Sequence, residues 1–268
     1  ELKVISTATI GTINLNKYNV LLSGTAEDVA AALAGTFAST YTGNVELTGA
    51  SIVLATDITT IKGDTNGTVT VNGSMQITGT SAQVDTAVGH VNTFSGTPTV
   101  TLSDAHTLAE LKAINNKISG TITLNDYTVA LSGLTADVKA ALAGNFAADY
   151  TGNVELTDAT DAVIQATDIT TIEGDTTGTI TVQNKIDIEG TPSQVDAAFD
   201  DVNTFSATTN ADVTLTSDPT LAQLVTINNK IEGTITLEGT NNYGLPLSGS
   251  SADVAAALAG TFASTYTG

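Results

Sequence analysis

Asp28–Gly43 reads DVAAALAGTFASTYTG, and the same sixteen residues return without a change as Asp253–Gly268. A diverged copy, DVKAALAGNFAADYTG, runs from Asp137 to Gly152. Repetition of this fidelity outranks local propensity as a fold signal, because each copy is one supersecondary unit that must bury its apolar face against a neighbour. Working outward, ATDITTIKGDTNGTVTV is matched by ATDITTIEGDTTGTITV, and LAELKAINNKISGTITL by LAQLVTINNKIEGTITL. The long period is 109 residues at first and a few residues more later.

A shorter period lies inside it. The apolar residues at the centres of the G-T-[IV]-T-[LV]-like segments are Ile13, Val45, Val69, Val100, Ile122, Val154, Ile180, Val213 and Ile235. Their separations are 32, 24, 31, 22, 32, 26, 33 and 22 residues, so long and short steps alternate around about 28. Segments such as Thr121 to Leu124 alternate Thr with Ile or Leu, the signature of a half-buried strand. A second short strand follows in most coils, as in Tyr127 to Leu131 or Lys185 to Ile188. Helix starts are marked by Thr191, Pro192 and Gln194, and by Asp218 with Pro219, read as cap followed by Pro. Val29 with Leu33, and Leu221 with Leu224, give the apolar stripe of a helix.

These parts predict an α/β repeat solenoid of about nine strand-helix coils, four to each long repeat, with a parallel sheet on one face and helices on the other. Residues 1–268 are expected to form one continuous fragment, with long repeats at about 1–110, 111–223 and 224–268, the last incomplete. Leucine-rich repeats share this plan, but their L-x-x-L-x-L-x-x-N signature is absent. Phe37, Phe94, Phe146, Phe205 and Phe262 follow the helices of the long coils and are expected to stack as core filler. Glu1, Leu2 and Lys3 align with Glu110, Leu111 and Lys112 inside a predicted helix, and Gly268 aligns with Gly43 in a predicted loop. The expectation is a window onto a longer array, with further copies of the repeat as partners, in cis or head-to-tail in trans.

Composition narrows the function classes. Apolar residues make up 41% of the chain and aromatic ones 4%, with no Trp, so the core is built from thin aliphatic layers. The 28 acidic residues face eight basic ones, all Lys, for a net charge of -20. A surface of that sign repels nucleic acid. The absence of Cys removes disulfides and thiolate chemistry. No stretch of eighteen apolar residues is present to span a membrane.

Two sets of residues are candidate sites. If Ile and Leu point inward, the pairs Thr68 with Thr70, Thr99 with Thr101, Thr121 with Thr123, Thr179 with Thr181 and Thr234 with Thr236 point outward. Such a ladder has spacings of about 4.8 Å between strands and about 6.8 Å along them. Asn44 with Glu46, Asn153 with Glu155, and Thr12 with Asn14 interrupt it. The second set is Asp57 with Asp64 and Asp168 with Asp175, acidic turns able to supply oxygen ligands to calcium. The spacings of an EF-hand or a calcium-binding β-roll are missing, and no cofactor is required by anything in the sequence. Catalytic motifs are absent as well. His90 and His106 occur once each, with no His in the other long repeat. An enzyme acting on polysaccharide would need a carboxylate cleft that breaks the repeat, and the sequence contains no such break.

The T-x-T ladder resembles the ice-binding face of β-solenoid antifreeze proteins. The near-identical acidic, Thr- and Gly-rich, Cys-free copies resemble the repeat regions of very long bacterial, in particular cyanobacterial, surface or adhesin-like proteins. That resemblance implies an extracellular or cell-surface location and a non-catalytic structural role as rod, fibre or scaffold. The second reading is an adhesion or ice-binding protein using the outward Thr-x-Thr face.

Overall fold

A threonine three residues ahead of Gln or Glu opens four of the helices. Thr80 with Gln83, Thr107 with Glu110, Thr191 with Gln194 and Thr220 with Gln223 each form a reciprocal capping box, which satisfies backbone donors that the first helical turn leaves open. Thr191 and Pro192 therefore cap as the sequence predicts. Asp218 does not. Thr220 is the cap of its helix, and Asp218 instead accepts the backbone N–H of Asn241 at 3.0 Å.

The computed structural model describes residues 1–49, 52–207 and 210–268. It divides into two units, Glu1–Tyr127 with Ala143–Ala148, and Thr128–Leu142 with Asp149–Gly268. The first contains α1 (Leu2–Ala8), β1 (Leu22–Gly24), α2 (Ala26–Leu33), β2 (Val45–Leu47), β3 (Ile52–Leu54), α3 (Ala55–Asp64), β4 (Val69–Asn72), β5 (Gln76–Gly79), α4 (Ser81–His90), β6 (Thr93–Ser95), β7 (Thr99–Leu102), α5 (Leu108–Asn115) and β8 (Ile122–Thr123). The second contains β9 (Leu131–Gly133), α6 (Thr135–Leu142), β10 (Val154–Leu156), β11 (Val163–Gln165), α7 (Ala166–Asp175), β12 (Ile180–Val182), β13 (Ile186–Gly190), α8 (Pro192–Asp201), β14 (Thr204–Phe205), β15 (Ala211–Leu215), α9 (Leu221–Lys230), β16 (Thr234–Leu237), α10 (Ser251–Ala257) and β17 (Thr261–Phe262).

Helices alternate with parallel strands, as an α/β reading requires, but the strands form four separate sheets and not one. In the first unit the orders are β1-β2-β4-β6 and β3-β5-β7-β8; in the second they are β9-β10-β12-β14 and β11-β13-β15-β16-β17. This explains the alternating marker spacings. Val45 pairs with Val69, and Val100 with Ile122, each within one sheet, whereas the step from Val69 to Val100 passes from one sheet to the other. Val154 with Ile180 and Val213 with Ile235 repeat the pattern. The short spacings are thus lateral steps within a sheet, and the long ones are switches between sheets.

Each unit packs its helices in a row, α1 to α5 in the first and α6 to α10 in the second. Their apolar stripes meet the inward strand residues. Val45, Val69, Ile77, Val100, Leu111 and Ile114 are wholly buried in the first unit, and Ile169, Ile188, Val213, Leu224 and Ile227 in the second. Each such side chain contributes about 1.5–3 kcal/mol by leaving water. The phenylalanines are not a buried stack. Phe94 and Phe205 lie beside Val71 and Val182 in one sheet of each unit, Phe37, Phe146 and Phe262 beside Ile13, Ile122 and Ile235, and all five are half-buried.

Polar stitches hold successive turns of chain together, and they recur with the long repeat. The hydroxyl of Tyr41 donates to the carbonyl of Val20, that of Tyr150 to Val129 at 2.6 Å, and that of Tyr266 to Leu245. Buried Thr65 donates to the carbonyl of Gly43 at 2.8 Å, and Thr176 to that of Gly152 at 2.9 Å. Glycine is required at these contacts, since a Cβ on Gly67 would lie 2.1 Å from the Gly43 oxygen and one on Gly178 would lie 2.2 Å from that of Gly152.

Candidate functional site

The outward threonines do not form one ladder. Thr68 and Thr70 belong to the sheet containing β4, while Thr99, Thr101, Thr121 and Thr123 lie on or beside β7 and β8 of the other sheet. In the second unit Thr179 and Thr181 go with β12, and Thr234 and Thr236 with β16. Thr68 and Thr179 are exposed, and the other eight are half-buried by their neighbours in the row.

Register shows which side chains share a row. On the first sheet of each unit the row is Ser23, Glu46, Thr70 and Thr93, and again Ser132, Glu155, Thr181 and Thr204. The second of these rows is cross-linked by side chains, with Ser132 donating to Glu155 at 2.7 Å. On the second sheet of the first unit, Thr78, Thr101 and Thr123 are in register, with Thr99 and Thr121 beside them. Gln76 donates to the hydroxyl of Thr101 at 2.8 Å. The result is a small hydroxyl and methyl patch on three adjacent strands. Thr78, missing from the sequence reading, joins it through the register of β5 with β7. The marker pattern misses it because its strand reads Gln-Ile-Thr-Gly and lacks the T-x-T frame.

The corresponding rows of the second unit are acidic. Asp187 lies beside Asp212, and Glu189 beside Thr214. Lys185 bridges Asp212 and Asp161, and Thr214 donates to Asp187 at 2.9 Å. Burial pushes the Asp187 carboxyl above the usual range; the Thr214 bond opposes this, and the charges of Asp212, Glu189 and Glu238 add to it.

The candidate calcium ligands stay apart. Asp57 and Asp64 stand at opposite ends of α3, and Asp168 and Asp175 at opposite ends of α7. The members of each pair are seven positions apart, about 10 Å along the helix axis. Asp168 is ion-paired with Lys139. Burial raises the carboxyl pKa of Asp64 and Asp175, and of Asp57 with a further contribution from Glu27. Among the described residues no group of three or more His, Asp or Glu side chains is placed to hold a metal ion, and no helix is long and apolar enough to cross a membrane.

A groove of about 400 Å³ lies between α3 and α4, lined by Thr56, Thr59, Thr60, Ala82, Gln83 and Thr86. Three of its threonines turn their hydroxyls back onto their own helices, Thr59 to Ala55, Thr60 to Thr56 and Thr86 to Ala82. That arrangement presents methyl groups to the groove and leaves no aligned nucleophile and base there.

The tyrosine and threonine stitches are the feature that sequence reasoning passed over. The signal was available in the recurring Y-T-G at Tyr41, Tyr150 and Tyr266. With the fold and these rows in view, comparison with known proteins finds no matching family model, no matching curated protein and no matching solved structure.

Proposed function

We propose that the chain is a structural, non-catalytic segment of an extracellular rod, fibre or cell-surface scaffold, built as one repeat solenoid. The observation that supports this reading is the recurrence of the same stitches, Tyr41, Tyr150 and Tyr266 onto a backbone carbonyl 21 residues earlier, at each long repeat. Residues spent on holding one turn of chain to the next serve stiffness and length, and a repeat stabilised by nearest neighbours can be extended by duplication. Further copies of the repeat are its partners, in cis or head-to-tail. Small-angle scattering from residues 1–268 tests the rod. A compact chain of this length has a radius of gyration of about 18 Å. A rod gives a clearly larger value, and a measured radius near the compact one sinks the reading.

A second reading has its own observation. Thr78, Thr99, Thr101, Thr121 and Thr123 occupy three adjacent strands of one sheet, an array suited to an adhesive or ice-binding surface. Inhibition of ice recrystallisation that disappears with Thr101→Lys and Thr123→Lys supports it. No inhibition by the native chain removes it.

A further inference from the structure

We infer that the junction between α4 and α5 is an acid-sensitive latch confined to the first unit, with the imidazole of His106 as its sensor. The inference stands apart from the scaffold reading. His106 lies in the loop between β7 and α5 and is 3% exposed. Around it the starts of the two helices are tied together. The backbone N–H of Ser81 donates to Asp104 at 2.7 Å, and the Ser81 hydroxyl donates to the carbonyl of Ala105 at 3.2 Å and to Glu110 at 3.0 Å. Glu110 also accepts the N–H of Thr107 at 2.8 Å, completing the α5 capping box. One buried ring therefore sits among the bonds that join two turns of chain.

The charged groups facing the ring are Glu110 from α5, Asp104 from its own loop and Asp126 from the loop after β8; Glu110 also acts on Asp85 of α4, raising its carboxyl pKa beside the larger effect of burial. Burial holds the imidazole below its ordinary value of 6.5, and the three carboxylates only partly offset this. The unfolded chain then takes up a proton more readily than the folded one. Stability at the junction is full above pH 6.5 and is lost as pH falls from there through the folded value. Glu110 fails later. Burial raises its pKa, but the bonds from Thr107 and Ser81 prevail and hold it below 4.5, so its cap is lost only in stronger acid.

The matching junction of the second unit has neither the sensor nor the Ser81 bonds, and is tied instead by the Gln223 amide donating to the Ser193 hydroxyl at 2.9 Å. Pro219, Gln223 and Pro192 stand where His106, Glu110 and Ser81 stand in the first, and none of them titrates. Asp187, raised by burial, has the opposite sign, so its protonation as pH falls relieves the second unit at that site.

Hydrogen exchange on the whole chain at pH 7.5 and 5.5, corrected for intrinsic rates, tests the latch. Protection over residues 103–115 is expected to fall, by at most about tenfold, with no fall over 216–230. His106→Leu should abolish the step. Should that variant fail to fold, NMR titration of the native His106 ring decides, with a midpoint below 6.5 expected. Equal responses in the two segments, a step that survives His106→Leu, or a ring that titrates at or above 6.5 overturns the inference.

Discussion

Asp28–Gly43 and Asp253–Gly268 are the same sixteen residues in different surroundings. In the first unit, α2 lies between α1 and α3, and Val29 and Leu33 are 4% and 2% exposed. In the second, α10 packs on α9; Val254 is half-buried and Leu258 is 37% exposed. Identical sequence thus yields a core residue in one place and a partly wet one in the other. The apolar stripe decides which face wants burial, but only the neighbouring turn of chain supplies it. The burial of each helix is thus a property of its interfaces.

The largest expected effect breaks this comparison directly. Leu33→Ala should cost about 2–5 kcal/mol, because it deletes a buried side chain between two packed helices. In residues 1–268, Leu258→Ala should cost only about 1–1.5 kcal/mol, since over a third of that residue already meets water. Native-state hydrogen exchange read separately over α2 and α10 avoids assuming that two units unfold as one. Equal losses at the two positions would mean that the neighbour does not set the burial energy.

A smaller effect sharpens the same lesson with glycine. Gly67→Ala and Gly178→Ala place a methyl group against the carbonyls of Gly43 and Gly152, and each should cost about 1–3 kcal/mol in local stability. Gly63 in α3 and Gly174 in α7 have nothing within 4 Å of an added Cβ. There the same change should gain up to about 1 kcal/mol through helix propensity. Thermal melts of the four variants separate the groups, and a stable Gly67→Ala would show that successive turns are less closely apposed than the stitches imply.

How far this was legible follows from the range of each signal. Thr191, Pro192 and Gln194 announced a helix because a capping box is local and needs no tertiary partner. The markers Val69 and Val100 looked equivalent because both sit between threonines, yet they serve different sheets. Period-two alternation reports that one face is buried and says nothing about which strand lies alongside. Strand pairing here joins residues 22 to 27 apart, from Val100 with Ile122 to Thr234 with Thr261, and only register reveals it. Asp218 was misread for a related reason. Asp followed by Pro fits a cap, but Thr220 stands three residues ahead of Gln223 and completes the box. The separation of Asp57 from Asp64 was not legible as a turn motif, because a helix fills the sequence between them and keeps them apart.

The smallest expected effect concerns α3 and α7, which share ATDITTI but face different neighbours. In the second unit, Lys139 of α6 reaches Asp168 of α7 at 2.5 Å. In the first, the position matching Lys139 is Ala30, and Asp57 meets burial and the like charge of Glu27, both of which push its carboxyl pKa up. Ala30→Lys should place an ammonium group within reach of Asp57 and bring that carboxyl back down. The Lys139 and Asp168 side chains are 42% and 26% exposed, so solvent screens the pair, and a gain of up to about 1 kcal/mol is the realistic scale. The sign follows from linkage. An Asp57 pKa that falls makes stability present at neutral pH and lost as pH drops through the lowered value, whereas the native Asp57 favours the protonated form in the fold. The gain should shrink when salt is raised from about 0.01 M to 1 M, because the screening length drops from about 30 Å to about 3 Å. Melting curves of Ala30→Lys and of Lys139→Ala at the two salt concentrations should move in opposite directions at low salt and converge at high salt. A stabilisation by Ala30→Lys that is indifferent to salt would assign the effect to the packing of the lysine stem and would separate charge from contact in this comparison.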